Sequence, residues 1–270
     1  MQFPVYFHLF GAKLHPHMVM ELVAYSAGFQ LYLYLRKRWP QPEAAVPIEQ
    51  AMWIIVGAVF GAAAGSKLLA WAESNRHYWA ARGDLAVVLG GKTIVGGLLG
   101  GWVGVELVKK CLNVRTSTGD LYVFPLIVGM SIGRVGCFLT GLADHTCGVH
   151  TSLPWAMDFG DGPRHPAQLY EIAFLLAIGI PLLFRIHSPS FTGELFRLFM
   201  LVYLSFRFLI EFVKPSDKPI LGLSAIQVAC LAVAAWCVIS LTRGRRKALV
   251  APREGSTVPA PPLAPVAEAD

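Results

Sequence analysis

Charge is what this sequence lacks most. Asp, Glu, Lys and Arg make up 15% of its 270 residues, where a soluble domain carries about 25%. The apolar share is 55% and the mean hydropathy is +0.53. A soluble domain of this length keeps a charged surface around its core, so the missing charge points to lipid as the solvent. Acidic residues are the scarcer sign, 17 against 23 basic, for a net charge of +6. In a soluble protein that balance would suggest nucleic acid. Here the basic residues cluster beside apolar runs, so anionic lipid head groups and membrane orientation explain it better, and no nucleic-acid partner is expected.

Other absences narrow the class further. The five cysteines (Cys111, Cys137, Cys147, Cys230 and Cys237) stand at spacings that match no zinc module. Cys137 and Cys147 would pair if the chain doubled back between them, but buried free thiols are the simpler expectation. Strict alternation of apolar and polar residues is missing, and the apolar runs are too long for barrel strands. The first run lacks a basic leader and a small-residue cleavage site, so it reads as a retained span and not as a cleaved signal peptide. Gly91-Lys92-Thr93 is no phosphate loop, because Ala86 stands where that pattern requires its leading glycine.

What is present is a series of apolar stretches near the length of about 20 residues that a membrane helix needs. Seven qualify, roughly 18–35, 49–72, 86–108, 121–142, 167–186, 193–213 and 222–242. The expected fold class is therefore an all-α polytopic membrane protein with seven transmembrane helices in residues 1–247. Basic residues crowd the loops after spans 1 and 3 (Arg36, Lys37, Arg38; Lys109, Lys110, Arg115) and the end of the chain (Arg243, Arg245, Arg246, Lys247, Arg253). That asymmetry predicts an outer N-terminus and a cytoplasmic C-terminus. Residues 248–270, rich in Pro and Ala, read as a disordered cytoplasmic tail.

Polar residues inside these stretches carry the information. Placing a lone charge in the bilayer costs at least a few kcal/mol, so such a residue usually faces a partner, a cavity or a substrate. Glu21 and Tyr25 lie in span 1, Lys92 and Thr93 in span 3, and Arg134 in span 4. Gln168, Tyr170 and Glu171 open span 5, and Arg197, Tyr203, Arg207 and Glu211 lie in span 6. Arg197, one turn into its span, suits snorkelling. Arg207 and Glu211 stand four apart, the spacing of an intrahelical ion pair. The glycines around 96–101 form small-xxx-small pairs that favour close helix packing. On the predicted topology Arg134, Arg164 and Arg207 come near the outer leaflet, where three guanidiniums would suit a phosphate.

Three stretches resemble those of a known family: Gly133-Arg134-Val135-Gly136-Cys137-Phe138, then Arg164-His165-Pro166-Ala167-Gln168-Leu169-Tyr170-Glu171, then Tyr203 to Phe212 with Arg207, Phe208 and Glu211. In kind and order they look like the signatures of prolipoprotein diacylglyceryl transferases. The resemblance implies a bacterial inner-membrane enzyme. It would move the diacylglyceryl group of phosphatidylglycerol onto the lipobox cysteine thiol of a prolipoprotein, with phosphatidylglycerol, the signal peptide and the membrane as partners. It implies no metal, no cofactor and no protein cysteine as nucleophile. Arg134 and Arg207 would bind the phosphate, Glu211 would orient Arg207, and Tyr203 and His165 would shape the catalytic site. Arg164, Glu21, Lys92, Gly148, Tyr170 and Glu171 would belong to substrate binding.

The chain departs from the family pattern close to the chemistry. Cys137, Thr140 and Leu142 replace two Asn and a Glu of the arginine motif, with Asp144 and His145 following shortly after. Val95 stands where the family commonly has His or Tyr, and Glu21 falls where it has Tyr. Two alternatives stay open on these residues, a related phospholipid-dependent transferase with another acceptor and a non-enzymatic lipid-binding or lipid-moving membrane protein.

Overall fold

The computed structural model of the chain describes residues 3–9, 11–39, 46–74, 90–187, 189–216 and 218–250. Seven long helices dominate them: α1 (Pro16–Arg38), α2 (Ile48–Glu73), α3 (Ile94–Cys111), α4 (Val123–Thr140), α5 (Ala167–Arg185), α6 (Glu194–Ile210) and α7 (Ala225–Val250). Short 3-10 turns flank α4 (Asp120–Tyr122 and Gly141–Asp144) and extend α6 (Glu211–Val213). Two small antiparallel hairpins complete the set. One pairs β1 (Phe7–Leu9) with β2 (Ala12–Leu14), the other β3 (Met157–Asp158) with β4 (Pro163–Arg164).

Five helices are each long and apolar enough to cross a membrane: α1, α2, α4 with its flanking turns, α5 and α7. Two of the seven expected spans do not reach that mark alone. α3 carries Glu106, Lys109 and Lys110 within its 18 residues, and α6 has only 17 residues with Glu194, Arg197 and Arg207 among them.

The boundaries differ from the sequence-based ones where local chemistry intervenes. Pro16 opens α1 in its first turn, where a missing N–H costs nothing. Span 3 begins later than expected, because Thr93 is extended and Lys92 precedes the helix. Residues 86–89 of that span lie outside the described residues. α7 continues to Val250, past the Arg243–Lys247 cluster, so residues 248–250 are helical where a disordered tail is expected. Residues 251–270 are outside the described part.

α2 and α3 pack backbone to backbone. A side chain on Gly61 would run into the Gly100 carbonyl, one on Gly100 into the Gly61 carbonyl, and one on Gly104 into the Gly57 carbonyl. The small-residue pattern thus works as a zipper, with helix surfaces in contact along two turns and more.

Polar groups fix the other helices. Buried Asp120 accepts the backbone N–H of Gly193 at 2.7 Å and of Phe196 at 2.8 Å, which caps the start of α6 from a remote segment. Glu194, itself fully buried, accepts hydrogen bonds from Arg185 of α5 and Arg245 of α7 and from the Ser190 N–H. Between these ends lies an apolar core that includes Val123, Ile127, Leu175, Phe199, Met200, Leu204 and Cys230. All five cysteines are free, four of them buried and Cys111 exposed.

The glycine zipper predicts a sharp contrast between neighbours. Gly100→Val should cost about 1–3 kcal/mol through overpacking. Gly97→Ala, whose added carbon would stand 3.8 Å from its nearest neighbours, should be tolerated. Thermal unfolding of the two variants in detergent checks this.

Candidate functional site

The site begins with Glu171, in the second turn of α5. Its position follows from the extended His165-Pro166 entry, after which the helix starts at Ala167. The side chain is 1% exposed. One carboxylate oxygen, Oε2, meets Arg134 of α4 at 2.8 Å and Arg207 of α6 at 3.2 Å. The other, Oε1, accepts the Tyr203 hydroxyl at 2.7 Å. Arg207 also donates to Glu211 at 3.1 Å, which is the intrahelical pair that the spacing suggests. Three helices therefore converge on one carboxylate, and two guanidiniums balance two carboxylates in a closed space.

Both arginines have donors to spare. Arg134 and Arg207 are 6% and 3% exposed, and the Nε of each has no acceptor among the described residues. A buried donor left unpaired costs about 1–3 kcal/mol. Two such donors on adjacent guanidiniums form a ready grip for an oxyanion. Lys214, just past the Glu211–Val213 turn, adds to the positive field. Burial first, and then Arg207 and Arg134, push its ammonium down to about 7.

The remaining predicted residues fall into two neighbouring groups. Arg164 is tied to the β3–β4 hairpin. Its Nε and Nη2 grip Asp161 at 2.8 and 2.6 Å, and its Nη1 donates to the Gly148 carbonyl at 3.0 Å. That fork holds Asp161 below the usual carboxylate range. Arg164 is thus a clamp within its loop and does not join the Arg134–Arg207 pair, contrary to the three-guanidinium expectation. Gly148 has a packing role, since a side chain there would collide with His165 and with the Val213 carbonyl. Tyr170 takes a hydrogen bond from the Trp155 indole at 2.8 Å and stands 3.1 Å from His165 Nδ1. Trp155 and Tyr170 border an open apolar groove of about 640 Å³, lined also by Pro154, Met157, Pro166, Leu169 and Ala173 among others.

Glu21 of α1 and Lys92, just before α3, belong to a second polar group. Glu21 accepts the Tyr25 hydroxyl at 2.8 Å and pairs with Lys92 at 3.5 Å. The sequence does not single out His17, which reads there as one polar residue before a span. In the structure its Nδ1 lies 2.9 Å from Asp144 and 4.0 Å from the Cys137 sulfur, and its Nε2 lies 3.9 Å from Glu21. Cys137 in turn is 3.8 Å from the Arg134 guanidinium, so this group adjoins the paired arginines. The only hint in the sequence is His15-Pro16-His17 at a helix start together with the polar run after Thr140.

Several apolar helices around a closed arginine–carboxylate cluster define a helical membrane protein with an ionic centre. The family model for prolipoprotein diacylglyceryl transferase matches residues 4–243. The chain belongs to that family. A phosphatidylglycerol–prolipoprotein diacylglyceryl transferase of Nitratidesulfovibrio vulgaris (strain Hildenborough) is 33% identical over 221 residues, 74% of this chain and 76% of the relative. One from the Miyazaki F strain is 32% identical, covering 79% and 83%. One from Bordetella avium is 30% identical, covering 82% and 85%.

Two expectations follow from the cluster. Glu171→Leu strands two buried guanidiniums and should cost about 3–5 kcal/mol, read as a fall in the unfolding midpoint. Lys214 gives a pH signature. Its folded pKa of about 7 lies below the unfolded value of about 10.4, so the unfolded chain holds the extra proton between them. The penalty for Lys214 is complete below about pH 7 and fades as pH rises toward about 10. Lys214→Met should flatten the rise in thermal stability that wild type shows across that window.

Proposed function

We propose that the protein transfers the diacylglyceryl group of phosphatidylglycerol to the lipobox cysteine of prolipoproteins in a bacterial inner membrane. On this reading it has seven spans, an outer N-terminus and a cytoplasmic C-terminus. The observation that carries the reading is the pair of buried guanidiniums sharing Glu171, each with an Nε–H that no group among the described residues accepts. The family membership and the relatives' names support the choice of lipid and acceptor.

The chemistry follows from charge. The acceptor sulfur attacks a glyceryl carbon. An S–C bond forms, the C–O bond to phosphate breaks, and the electron pair leaves with glycerol phosphate. The phosphate passes from a singly charged diester toward a doubly charged monoester, so Arg134 and Arg207 bind the transition state more tightly than the lipid. Glu171, held by Tyr203, keeps both guanidiniums in place and offsets their mutual repulsion while the site is free of lipid. Glu211 restrains Arg207 from its other side. His165, Tyr170 and Gly148 support the rim, Arg164 fixes the outer loop, and the groove beside Trp155 suits an acyl chain or the apolar signal peptide. Glu21, paired with Lys92, stands beside His17 in the group that adjoins Arg134 through Cys137.

The test is to deplete the main transferase of a bacterial host, express this chain and weigh its prolipoprotein by mass spectrometry. Gain of the diacylglyceryl mass is the expected result, and an unmodified prolipoprotein with the chain correctly inserted would sink the proposal. Arg134→Ala and Arg207→Ala should each lower kcat by about 10²–10³-fold, measured on phosphatidylglycerol vesicles with a lipobox peptide.

A further inference from the structure

The acceptor thiol raises a problem that the paired arginines do not solve. A free cysteine ionises near pH 8.5, so at neutral pH only a few per cent is thiolate. The proton must go somewhere, and Val95 supplies no base. The group around His17 faces this problem directly. It brings together an imidazole from the first turn of α1, a thiol from α4 and a carboxylate from the Gly141–Asp144 turn. One donor atom from each of His17, Cys137 and Asp144 lies within 4.8 Å of the others.

We propose that His17, Cys137 and Asp144 form a zinc site whose fourth position takes the acceptor thiol. The thiol part rests on the transferase reading, whereas the metal part does not. Nitrogen, sulfur and oxygen in one set is a donor combination that zinc accepts and that magnesium or calcium does not favour. Ligand atoms around tetrahedral zinc stand ~3.5 Å apart, given bonds of about 2.0–2.3 Å. The His17–Asp144 distance of 2.9 Å and the His17–Cys137 distance of 4.0 Å bracket that value, each within about half an ångström of it, and the Cys137–Asp144 pair lies within 4.8 Å. Cys137 is buried, while His17 and Asp144 keep 29% and 14% of their side chains exposed. The set is thus closed on the protein side and open on the other, as a site with three protein ligands and an exchangeable position requires.

The surrounding contacts favour the same conclusion. With Nδ1 on the metal, Nε2–H of His17 turns to the Glu21 carboxylate, now 3.9 Å away and anchored by Tyr25 and Lys92. A carboxylate behind a ligating imidazole is the common way to fix its tautomer. Asp144 is steadied by the Thr146 hydroxyl at 3.0 Å. Arg134, 3.8 Å from the Cys137 sulfur, opposes a cation by its own charge, but its partner Glu171 at 2.8 Å offsets that charge. Thiolate, carboxylate and the nearby Glu21 supply the negative balance.

The placement also serves the reaction. A zinc bound to Cys137 at about 2.3 Å lies within ~6 Å of the Arg134 guanidinium. A bound acceptor thiol releases its proton to solvent. The thiolate forms the S–C bond as the C–O bond breaks, the electron pair leaves with the phosphate on Arg134, and the thioether product, a poorer ligand, departs.

The experiment titrates cobalt(II) into the purified full-length chain in metal-free detergent buffer, followed by zinc. One cobalt per chain, a thiolate-to-cobalt charge-transfer band and loss of both on adding zinc are expected. Cys137→Ser should lose the band, Asp144→Asn should weaken uptake independently, and Glu21→Gln should lower affinity about 10–100-fold. A lipobox peptide should intensify the band, and its Cys→Ser form should not. Wild-type uptake no greater than that of Cys137→Ser overturns the metal site. Uptake without a response to the peptide overturns the acceptor's place on it. Metal binding in a chain that transfers no diacylglyceryl group would remove the transferase reading and the acceptor role together, leaving the metal site standing.

Discussion

Glu171 holds two arginines that would otherwise repel each other in a place closed to solvent. Burying either guanidinium alone would cost several kcal/mol, and burying both beside each other would cost more. One carboxylate oxygen shared between them, with the other fixed by Tyr203, turns that cost into a stable arrangement. The rest of the fold serves this junction. α4, α5 and α6 must meet at a set height for the three side chains to converge, and α5 must start just after Pro166 for Glu171 to reach the centre.

Polar contacts at the far end of the same helices maintain that height. Glu194 draws the end of α5 and the end of α7 onto the start of α6, and Asp120 caps that start from the segment leading into α4. A hydrophobic core is tolerant of sliding, particularly where lipid is the alternative neighbour. Directional bonds at both ends of α6 remove that freedom, so Arg207 is held relative to Arg134 to within hydrogen-bond tolerance. α2 and α3 are joined differently, by glycine contacts that need no polar group.

The chemistry divides between two adjoining groups. The arginine cluster holds two buried guanidiniums on one carboxylate, the arrangement that the proposed reaction would use for the departing phosphate. The His17 group, which includes Cys137 and Asp144, adjoins that cluster and is where the proposed metal and acceptor thiol would sit. Arg134 links the two, reaching Glu171 at 2.8 Å and the Cys137 sulfur at 3.8 Å. On the proposed reaction, nucleophile and leaving group would meet across this one side chain, as a displacement at a single carbon between them requires. Cys137 and Asp144, which depart from the motif that the sequence resembles, lie in the His17 group, while Arg134, Glu171 and Arg207 of the resembling stretches lie in the cluster.

The sequence by itself determined the apolar helices, their approximate limits, the close-packing glycine face of α3 and the Arg207–Glu211 pair. Each depends on spacing within one segment: run length, a small-residue repeat, a four-residue offset. It also marked Arg134, Tyr203 and Glu171 as residues out of place in lipid. What it did not determine is which of these meet. Glu171 lies 36 residues from Arg207, and nothing in either segment encodes the angle at which α5 meets α6. Arg164 was grouped with the other arginines on topology alone, whereas the hairpin turns it to Asp161. His17 was invisible for the same reason, because a histidine at a helix start acquires meaning only when Asp144 and Cys137 arrive 2.9 and 4.0 Å away. Local pattern fixes elements because backbone geometry is periodic. Only tertiary packing, which joins segments of unrelated sequence, decided the site.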